Sequence, residues 1–308
     1  MIVDKQLQLP SPVTKFLFEN NYGCQLFIKR EELIHPDFGG NKWRKLKYNI
    51  EEFKRGNYSR IITFGGAFSN HIAATAKICL ANKIPCTGII RGELSDPRNP
   101  TLNAAKKAEM ELIHVSRSEY SLKEKSEIFT QLIKKYEQPF VIPEGGSNAY
   151  AIRGVSELVS ELEIQGLICD YIVVSAGTGM TASGIISATP KSTKVVVINA
   201  LKNKGLSKAI ESFLPFSATN WEINSDYTFG GFAKVTDELI QFADDIFARY
   251  QLRLDPIYNA KAFYGTLDLI EKGYFPADAR ILYVCTGGLQ GITAYNYMAK
   301  SDSKRLSY

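Results

Sequence analysis

The chain has 308 residues, of which 45% are hydrophobic and 22% are charged, and its formal net charge is +5. This composition is typical of an ordinary globular protein and excludes a disordered or fibrous chain. The small positive charge is compatible with anionic small molecules, but without a dense Lys/Arg block it does not indicate nucleic-acid binding.

Short apolar segments beyond about residue 40 predict β-strands. Val, Ile and Tyr dominate several of them, and they lack clean polar alternation, as expected for strands that are covered on both faces. The predicted strands are 60–64, 86–90, 111–116, 140–143, 171–175, 194–200, 221–225 and 280–284.

Helical periodicity separates these strands. Trp43, Leu46, Ile50 and Phe53 share one face of a helix that we expect to end at Gly56. Further helices are predicted over 120–136, 150–165, 236–250 and 258–272. Alternating strands and helices predict an α/β fold with mainly parallel sheets, and two smaller sheets facing a cleft suit the motifs below better than one sheet of eight strands.

The N-terminus and the cysteines suggest a cytoplasmic location. The first residues, MIVDKQLQLPSP, contain no apolar signal segment, and no stretch approaches the roughly 18 apolar residues of a membrane span. The five cysteines form no C-x-x-C pair and no metal-ligand spacing with histidine. We therefore expect reduced, buried thiols, no metal site and no membrane contact.

Three glycine-rich turns follow predicted strands. They are GGAFSNH at 65–71, AGTGMT at 176–181 and CTGG at 285–288. Such turns at the carboxyl ends of parallel strands offer free backbone N–H groups and hydroxyls to an anion. For any one turn, the alternative is that glycine merely permits a tight connection.

The second turn does not complete a nucleotide-binding motif. Gly177-Thr178-Gly179 begins like G-x-G-x-x-G, but Ala182 occupies the third glycine position, and no acidic residue follows strand 194–200. A Walker A loop also fails, because no Gly-Lys-Ser/Thr follows. The turn instead suits a single phosphate monoester, with the Thr178 and Thr181 hydroxyls as donors.

Lys42 directly follows Gly39-Gly40-Asn41 at the start of a predicted helix. Burial and the positive potential of a helix N-terminus favour the neutral, nucleophilic amine. The alternative is an exposed lysine at a helix start, and composition alone leaves it open.

Several segments resemble the D-cysteine desulfhydrase and 1-aminocyclopropane-1-carboxylate (ACC) deaminase family of pyridoxal-5′-phosphate (PLP) enzymes, which have the tryptophan-synthase-β fold type. The most specific element is Gly39-Gly40-Asn41-Lys42-x-Arg44-Lys45-Leu46. The other matching segments, in family order, are Lys29-Arg30-Glu31-Glu32, Gly65-Gly66-x-x-Ser69-Asn70-His71, Pro143-x-Gly145-Gly146-Ser147-Asn148, Gly177–Thr181, Asp255-Pro256-Ile257-Tyr258-x-x-Lys261 and Thr286-Gly287-Gly288.

The resemblance implies two parallel-sheet α/β domains with PLP in the cleft between them. We expect a large domain made of residues 1–44 and 150–308 and a small domain of residues 45–149. The family further implies a homodimer and a small amino-acid substrate.

The resemblance also implies roles for individual residues. Lys42 would carry PLP as a Schiff base and move the Cα proton. Lys45, Gly177, Thr178, Gly179 and Thr181 would hold the phosphate. Asn70 would bind the pyridine 3′-oxygen and Thr286 the pyridine nitrogen. Ser69, Asn70 and His71 would meet the substrate, with Tyr258 against the cofactor ring.

Two positions depart from the family pattern. Asn259 stands where ACC deaminases have a glutamate facing the pyridine nitrogen, and Phe232 stands where the family usually has an active-site tyrosine in the substrate site. A neutral partner leaves the pyridine less protonated and weakens the electron sink that ring opening needs.

We therefore expect α,β-elimination from a small D-amino acid, with D-cysteine giving pyruvate, ammonia and sulfide. The alternatives are an ACC deaminase that yields 2-oxobutyrate and ammonia, a racemase or L-specific lyase, and a catalytically silent PLP or amino-acid binding protein. An NAD-linked oxidoreductase is disfavoured by the missing acidic residue.

Overall fold

The computed structural model describes residues 7–93, 96–214, 218–299, 301 and 303–308. Residues 1–6, where we predicted no signal segment, lie outside the described part of the chain. The strands are β1 (Val13–Phe16), β2 (Gln25–Arg30), β3 (Ile61–Gly66), β4 (Cys86–Arg91), β5 (Glu111–Val115), β6 (Phe140–Ile142), β7 (Tyr171–Ala176), β8 (Lys194–Asn199), β9 (Trp221–Asn224) and β10 (Arg280–Cys285).

Helices follow most strands. They are α1 (Asn41–Arg55), α2 (Asn70–Ala81), α3 (Pro100–Lys107), α4 (Arg117–Leu122), α5 (Glu127–Lys135), α6 (Ala149–Ile164), α7 (Met180–Ala188), α8 (Leu206–Phe213), α9 (Asp237–Tyr250), α10 (Asn259–Glu271) and α11 (Gln290–Met298). Short 3₁₀ turns cover Glu31–Leu33, Lys123–Lys125 and Glu144–Gly146.

The strands form two sheets, one of six strands in the order β1-β2-β10-β7-β8-β9 and one of four in the order β5-β4-β3-β6. All described strand pairs are parallel except β1 with β2. The predicted α/β class with parallel sheets is therefore confirmed, and all eight predicted strands are present. We did not predict β1 and β2. β2 ends in Lys29-Arg30, the start of the charged run KREE, and the burial of Lys29 depends on the distant Glu161.

The large sheet takes its strands from residues 13–30 and 171–285, and the small sheet takes its strands from residues 61–142. This arrangement follows the expected order of the two domains along the chain. The expected boundary at 44/45 falls within α1, and the boundary at 149/150 falls at the start of α6. The division into domains at these residues stays a prediction.

Both faces of the large sheet are covered, which explains the missing alternation in its sequence. Along β8, Val196 and Ile198 belong to one core cluster, whereas Val195 and Val197 belong to the cluster on the opposite face. All four side chains are fully buried. Burial of the β-branched run on both faces holds the carboxyl end of the strand, where the glycine turns begin, in a rigid frame.

The single helix predicted over 120–136 is wrong. α4 ends at Leu122, Lys123 adopts a positive φ of 52°, and α5 begins only at Glu127. Ser126 is extended, and its side chain accepts a hydrogen bond from the Phe129 N–H at 3.2 Å. The serine therefore acts as an N-cap that restarts the helix, a competing signal that apolar periodicity does not register.

α1 packs very closely against α6. A Cβ on Gly154 would lie 1.9 Å from the carbonyl oxygen of Arg44, so only glycine permits this approach. The Arg44 guanidinium binds Glu31 and Glu161, and Lys29 donates to Glu161 at 2.8 Å. This buried ion network anchors the first turn of α1, which carries Lys42.

Within the described residues, no helix combines the length and apolar character that a membrane crossing requires. The five cysteines are all buried and form no disulfide. The prediction that the cysteines are buried is therefore confirmed.

Candidate active site

The start of α1 lies against the turn that follows β10. Gly40 pairs with Gly287, and its φ of 95° lies in a region that favours glycine. A Cβ on Gly40 would come within 2.4 Å of the Thr286 carbonyl oxygen. The Asn41 N–H donates to that same oxygen at 2.9 Å. The Gly-Gly-Asn turn thus fixes Lys42 at the carboxyl end of the large sheet.

The Lys42 amine is partly buried and donates to Asn41 Oδ1 at 2.9 Å. Burial lowers the pKa of this amine to about 8, and the nearby Asp255 carboxylate opposes the shift. The neutral form is therefore accessible near physiological pH, which suits a nucleophile and a base that exchanges a proton.

Lys45 lies one helical turn after Lys42, on the same side of α1. Its amine is buried and donates to the Gly145 carbonyl at 3.3 Å. Burial, followed by the charge of Lys42, lowers the pKa of Lys45 well below its usual range. Neither amine forms an ion pair with a carboxylate in the described part of the chain. Two buried amines without a paired anion favour an anionic ligand between them.

The turn between β7 and α7 supplies the expected phosphate cradle. Gly179 has a φ of 90° and forms the N-cap of α7, so the first N–H groups of the helix have no intrahelical acceptor. The Thr181 hydroxyl, in the first turn of α7, accepts a hydrogen bond from Asn41 Nδ2 at 3.0 Å. The expected phosphate turn and the Lys42 helix are therefore in direct contact.

The turn after β3 reaches the same place from the small sheet. Ser69 is the N-cap of α2, and its hydroxyl accepts from the Ile72 N–H at 3.3 Å. Asn70 lies against the turn after β10, since its Nδ2 would be 2.7 Å from a Cβ on Gly288. Ser69 and Asn70 thus belong to the small-sheet wall that faces the large-sheet turns.

The geometry leads us to revise the role expected for His71. Its ring is buried, and Nε2 lies 2.7 Å from the Thr63 hydroxyl, which itself donates to the Ile142 carbonyl at 2.8 Å. Nε2 must therefore carry the proton, and the unpaired Nδ1 is an acceptor. Burial, then Lys42 and Lys45, lower the pKa of His71 to about 3. A neutral acceptor cannot donate to a substrate carboxylate.

The Asn259 amide lies against the turn after β10 and is fully paired. Its Nδ2 donates to Asp255 at 2.6 Å and to the Gly287 carbonyl at 2.8 Å. Its Oδ1 accepts from the Thr286 N–H at 3.0 Å, with the Thr286 hydroxyl at 3.3 Å and the Tyr283 hydroxyl at 3.1 Å. Two acceptors on one side and donors on the other fix the orientation of the amide.

Tyr258 joins the site, whereas the Phe232 ring does not enter it. A Cβ on Gly177 would be 2.8 Å from Tyr258 Cε1, so this ring lies against the expected phosphate turn. Burial raises the pKa of Tyr258 to about 12, so the hydroxyl stays protonated. Phe232 is 60% exposed, and only its neighbour Gly231 packs towards the site, against Leu201.

Sequence reasoning assigned no role to Asn41 and Asp255. Asp255 is buried, and its carboxylate accepts from the N–H groups of Ile257, Tyr258 and Asn259 at the start of α10. The signal was present in Asp255-Pro256, because aspartate before proline is typical of a helix start. No local sequence pattern indicates that the Asn41 side chain donates to the Thr181 hydroxyl, 140 residues away.

The residues at this site fit PLP. The donors of the 177–181 turn suit a phosphate, and so does the Lys45 amine, which has no carboxylate partner among the described residues. Lys42 supplies a nearby amine with a lowered pKa. Thr286 carries a hydroxyl beside the Asn259 amide, where a ring nitrogen would find a polar partner. Lys42 and Lys45, with the 177–181 turn, would hold the cofactor, and Asn70, Thr286 and Tyr258 would contact its ring.

Comparison with known proteins agrees with this fit. A Thermotoga maritima protein named "Putative 1-aminocyclopropane-1-carboxylate deaminase" is 30% identical, over 96% of this chain and 98% of its own. A crystal structure of an ACC deaminase homologue superposes with a TM-score of 0.76 at 25% identity, over 94% of each chain. A hydrogen sulfide-producing enzyme from Fusobacterium nucleatum shares the fold, with a TM-score of 0.69 at 17% identity, over 94% of this chain and 98% of its own.

The sequence model of the family described as "Pyridoxal-phosphate dependent enzyme" matches residues 5–287. This match covers most of the chain and contains Lys42, Lys45, the 177–181 turn, Asn70, Tyr258 and Thr286. The chain belongs to the family of pyridoxal-phosphate dependent enzymes, and its cofactor is PLP.

Proposed function

We propose that the protein catalyses α,β-elimination from a small D-amino acid, with D-cysteine and water giving pyruvate, ammonia and sulfide. The Cα–H and Cβ–S bonds break, sulfide leaves with the bonding pair from Cβ, and water converts the released enamine into the keto acid and ammonia. No external oxidant or reductant is required.

Lys42 is the group that moves the Cα proton. Its pKa of about 8 leaves a useful fraction of neutral amine at neutral pH, and the hydrogen bond to Asn41 orients the nitrogen. The bound PLP supplies the electron sink for the charge that develops at Cα. Ser69, at the start of α2, is in a position to bind the substrate carboxylate together with the free N–H groups of that helix end.

Tyr258 can supply a proton to the leaving sulfur. Burial holds its pKa at about 12, so the hydroxyl is a donor throughout the physiological range. Its ring lies beside Gly177, and Tyr258 is the N-cap residue of α10, which begins at Asn259. Lys42 and Tyr258 can therefore act as base and acid on the same substrate.

The single observation that carries the choice of reaction is the fully paired Asn259 amide beside Thr286. A neutral amide and a hydroxyl would leave the pyridine nitrogen of bound PLP without a facing carboxylate, because Asp255 is bonded to the Nδ2 of Asn259 and Thr286 to its Oδ1. Ring opening of ACC must break a carbon–carbon bond and needs a strongly electron-withdrawing, protonated pyridine. Loss of thiolate is easier and tolerates a weaker sink.

A substrate panel tests this proposal. The holoenzyme is given D-cysteine, L-cysteine and ACC, and sulfide, pyruvate, 2-oxobutyrate and ammonia are measured. We expect sulfide and pyruvate from D-cysteine. The kcat/KM for D-cysteine should be at least about 100-fold above that for ACC, because Asn259 replaces the glutamate of ACC deaminases and a missing acid–base group typically costs about 10²–10⁴-fold. A ratio that favours ACC would refute the proposal.

ACC deaminase is the second candidate, and the name of the Thermotoga maritima relative favours it. Steady production of 2-oxobutyrate from ACC would establish this activity. A catalytically silent binding protein is the third candidate, because the exposed Phe232 places no hydroxyl in the site. Inactivity on the whole panel, with PLP retained, would support it.

A further inference from the structure

Lys261 is a fully buried lysine whose ammonium has no carboxylate partner within the described chain. Its Nζ instead donates to three backbone carbonyls, those of Gly231 at 2.8 Å, Thr228 at 2.9 Å and Ala200 at 3.2 Å. All three donors of the ammonium are used, which offsets the large cost of burying a charge. None of the reaction steps above uses this residue.

Two of the three acceptors belong to one strained loop, Thr228–Lys234, named here the 228–234 loop. Its internal turns are closed by bonds from the Gly231 N–H to Thr228 and from the Lys234 N–H to Gly231. Phe229 and Ala233 have positive φ values of 48° and 54°, which are costly for residues other than glycine. The loop therefore needs an external anchor to keep this shape.

The third acceptor connects the anchor to the expected phosphate turn. Ala200 follows β8, and its N–H donates to Ala176, the residue directly before Gly177, at 3.3 Å. Leu201 also packs between the 228–234 loop and the phosphate turn. Its carbonyl oxygen would be 3.4 Å from a Cβ on Gly231. Leu201 Cδ1 would in turn be 2.9 Å from a Cβ on Gly177.

We propose that Lys261 is a positioning residue: its ammonium holds the 228–234 loop and the end of β8 together against the phosphate turn. Cofactor retention then depends on a side chain that touches neither cofactor nor substrate. This inference rests on the proposed phosphate role of the 177–181 turn. It does not depend on which amino acid is the substrate.

The test replaces Lys261 with methionine, whose unbranched side chain is one atom shorter and has no donor. Amide hydrogen exchange is followed by mass spectrometry on the holoenzyme, and PLP dissociation is measured by dialysis. Exchange at the Gly231 and Lys234 amides should rise by about tenfold or more, because a charge-assisted hydrogen bond is worth at least roughly this factor. The PLP dissociation constant should rise by about tenfold for the same reason.

Lys29→Met is the matched control, because Lys29 is also fully buried, but its partners are Ser11, Glu161 and Gln165. In Lys29→Met, amide hydrogen exchange should rise around those partners and not in the 228–234 loop. Unchanged loop exchange in Lys261→Met would overturn the proposal, and so would faster loop exchange with unchanged PLP affinity.

If Lys261→Met does not fold, Lys261→Gln decides, because its amide keeps two N–H donors without the charge. Loop exchange and PLP dissociation intermediate between wild type and complete loss support the anchoring role. Wild-type values for either quantity overturn it. Neither measurement depends on turnover, so a failure of the Lys261 proposal is distinguishable from a failure of the substrate proposal.

Discussion

Asn41 donates a hydrogen bond from its side-chain amide to the Thr181 hydroxyl across 3.0 Å. The same side chain accepts from the Lys42 amine through its Oδ1 at 2.9 Å. One residue therefore connects Lys42, the proposed PLP-binding lysine, to the first turn of α7, where the phosphate is expected. Because both groups of the amide are used, its orientation is determined by chemistry on each side.

Thr181→Ala should weaken PLP retention by roughly tenfold or more, since a charge-assisted hydrogen bond contributes about 1.5–3 kcal/mol. Equilibrium dialysis with the violet absorbance of bound PLP measures this. Thr189→Ala is the control. Thr189 lies just beyond the C-terminal end of α7, and its hydroxyl donates to the Ile185 carbonyl within that helix. Unchanged PLP affinity in Thr181→Ala would show that the phosphate binds elsewhere.

Lys42 should carry PLP covalently, because its amine has a lowered pKa and lies at the contact between α1 and the β10 turn. Borohydride reduction followed by peptide mapping should place the pyridoxyl label on this residue. Lys42→Arg should take up no label. A label on Lys45, Lys47 or Lys261 would contradict the assignment.

The rate of PLP attachment to the apoenzyme should rise with pH through a midpoint near 8. Burial lowers the pKa of Lys42 to about 8, so its amine is protonated below that pH and reactive above it. Asp255→Asn should move the midpoint lower still, because the carboxylate holds this pKa up. Stopped-flow absorbance measures the profile, and a midpoint near about 10.4, the value of an exposed lysine, would contradict the prediction.

Ser69→Ala should lower turnover by at least about tenfold while the violet absorbance of bound PLP stays unchanged, because a hydrogen bond to a charged carboxylate is lost. The serine is also an N-cap, whose loss costs about 0.5–2 kcal/mol of stability. Ser126→Ala controls for this effect, since Ser126 caps α5 in the same way. Equal turnover in both variants would show that Ser69 is structural.

Glu161→Gln should destabilise the fold by roughly 3–5 kcal/mol, because it leaves two buried cations without their shared carboxylate. Those cations are Arg44, at 2.9 Å and 3.0 Å, and Lys29, at 2.8 Å. Urea unfolding measures the change. Glu157→Gln on the same helix weakens a more exposed site, where Glu157 pairs with Lys47 and accepts from the Tyr48 hydroxyl, so it should cost about 1 kcal/mol or less. Equal losses would contradict the role of the buried network.

Local patterns predicted much of the fold, and they failed where two local signals competed. Runs of β-branched residues located eight strands, because such runs fit only sheets that are covered on both faces. Between residues 120 and 136, apolar periodicity favoured one helix, while the Ser126 cap divided it. β2 was missed because Lys29, near its charged end, is buried beside Glu161, which is distant in sequence.

The sequence by itself determined which residues could do the chemistry of this protein. A lysine after Gly-Gly-Asn and three glycine turns after strands are local features, and their backbone geometry follows from nearest neighbours. Only the tertiary structure decided what each side chain can donate or accept. The neutral Nδ1 of His71, the fully paired amide of Asn259 and the three carbonyl acceptors of Lys261 depend on partners 4 to 61 residues away. Those partners meet through packing, which spacing along the chain does not specify.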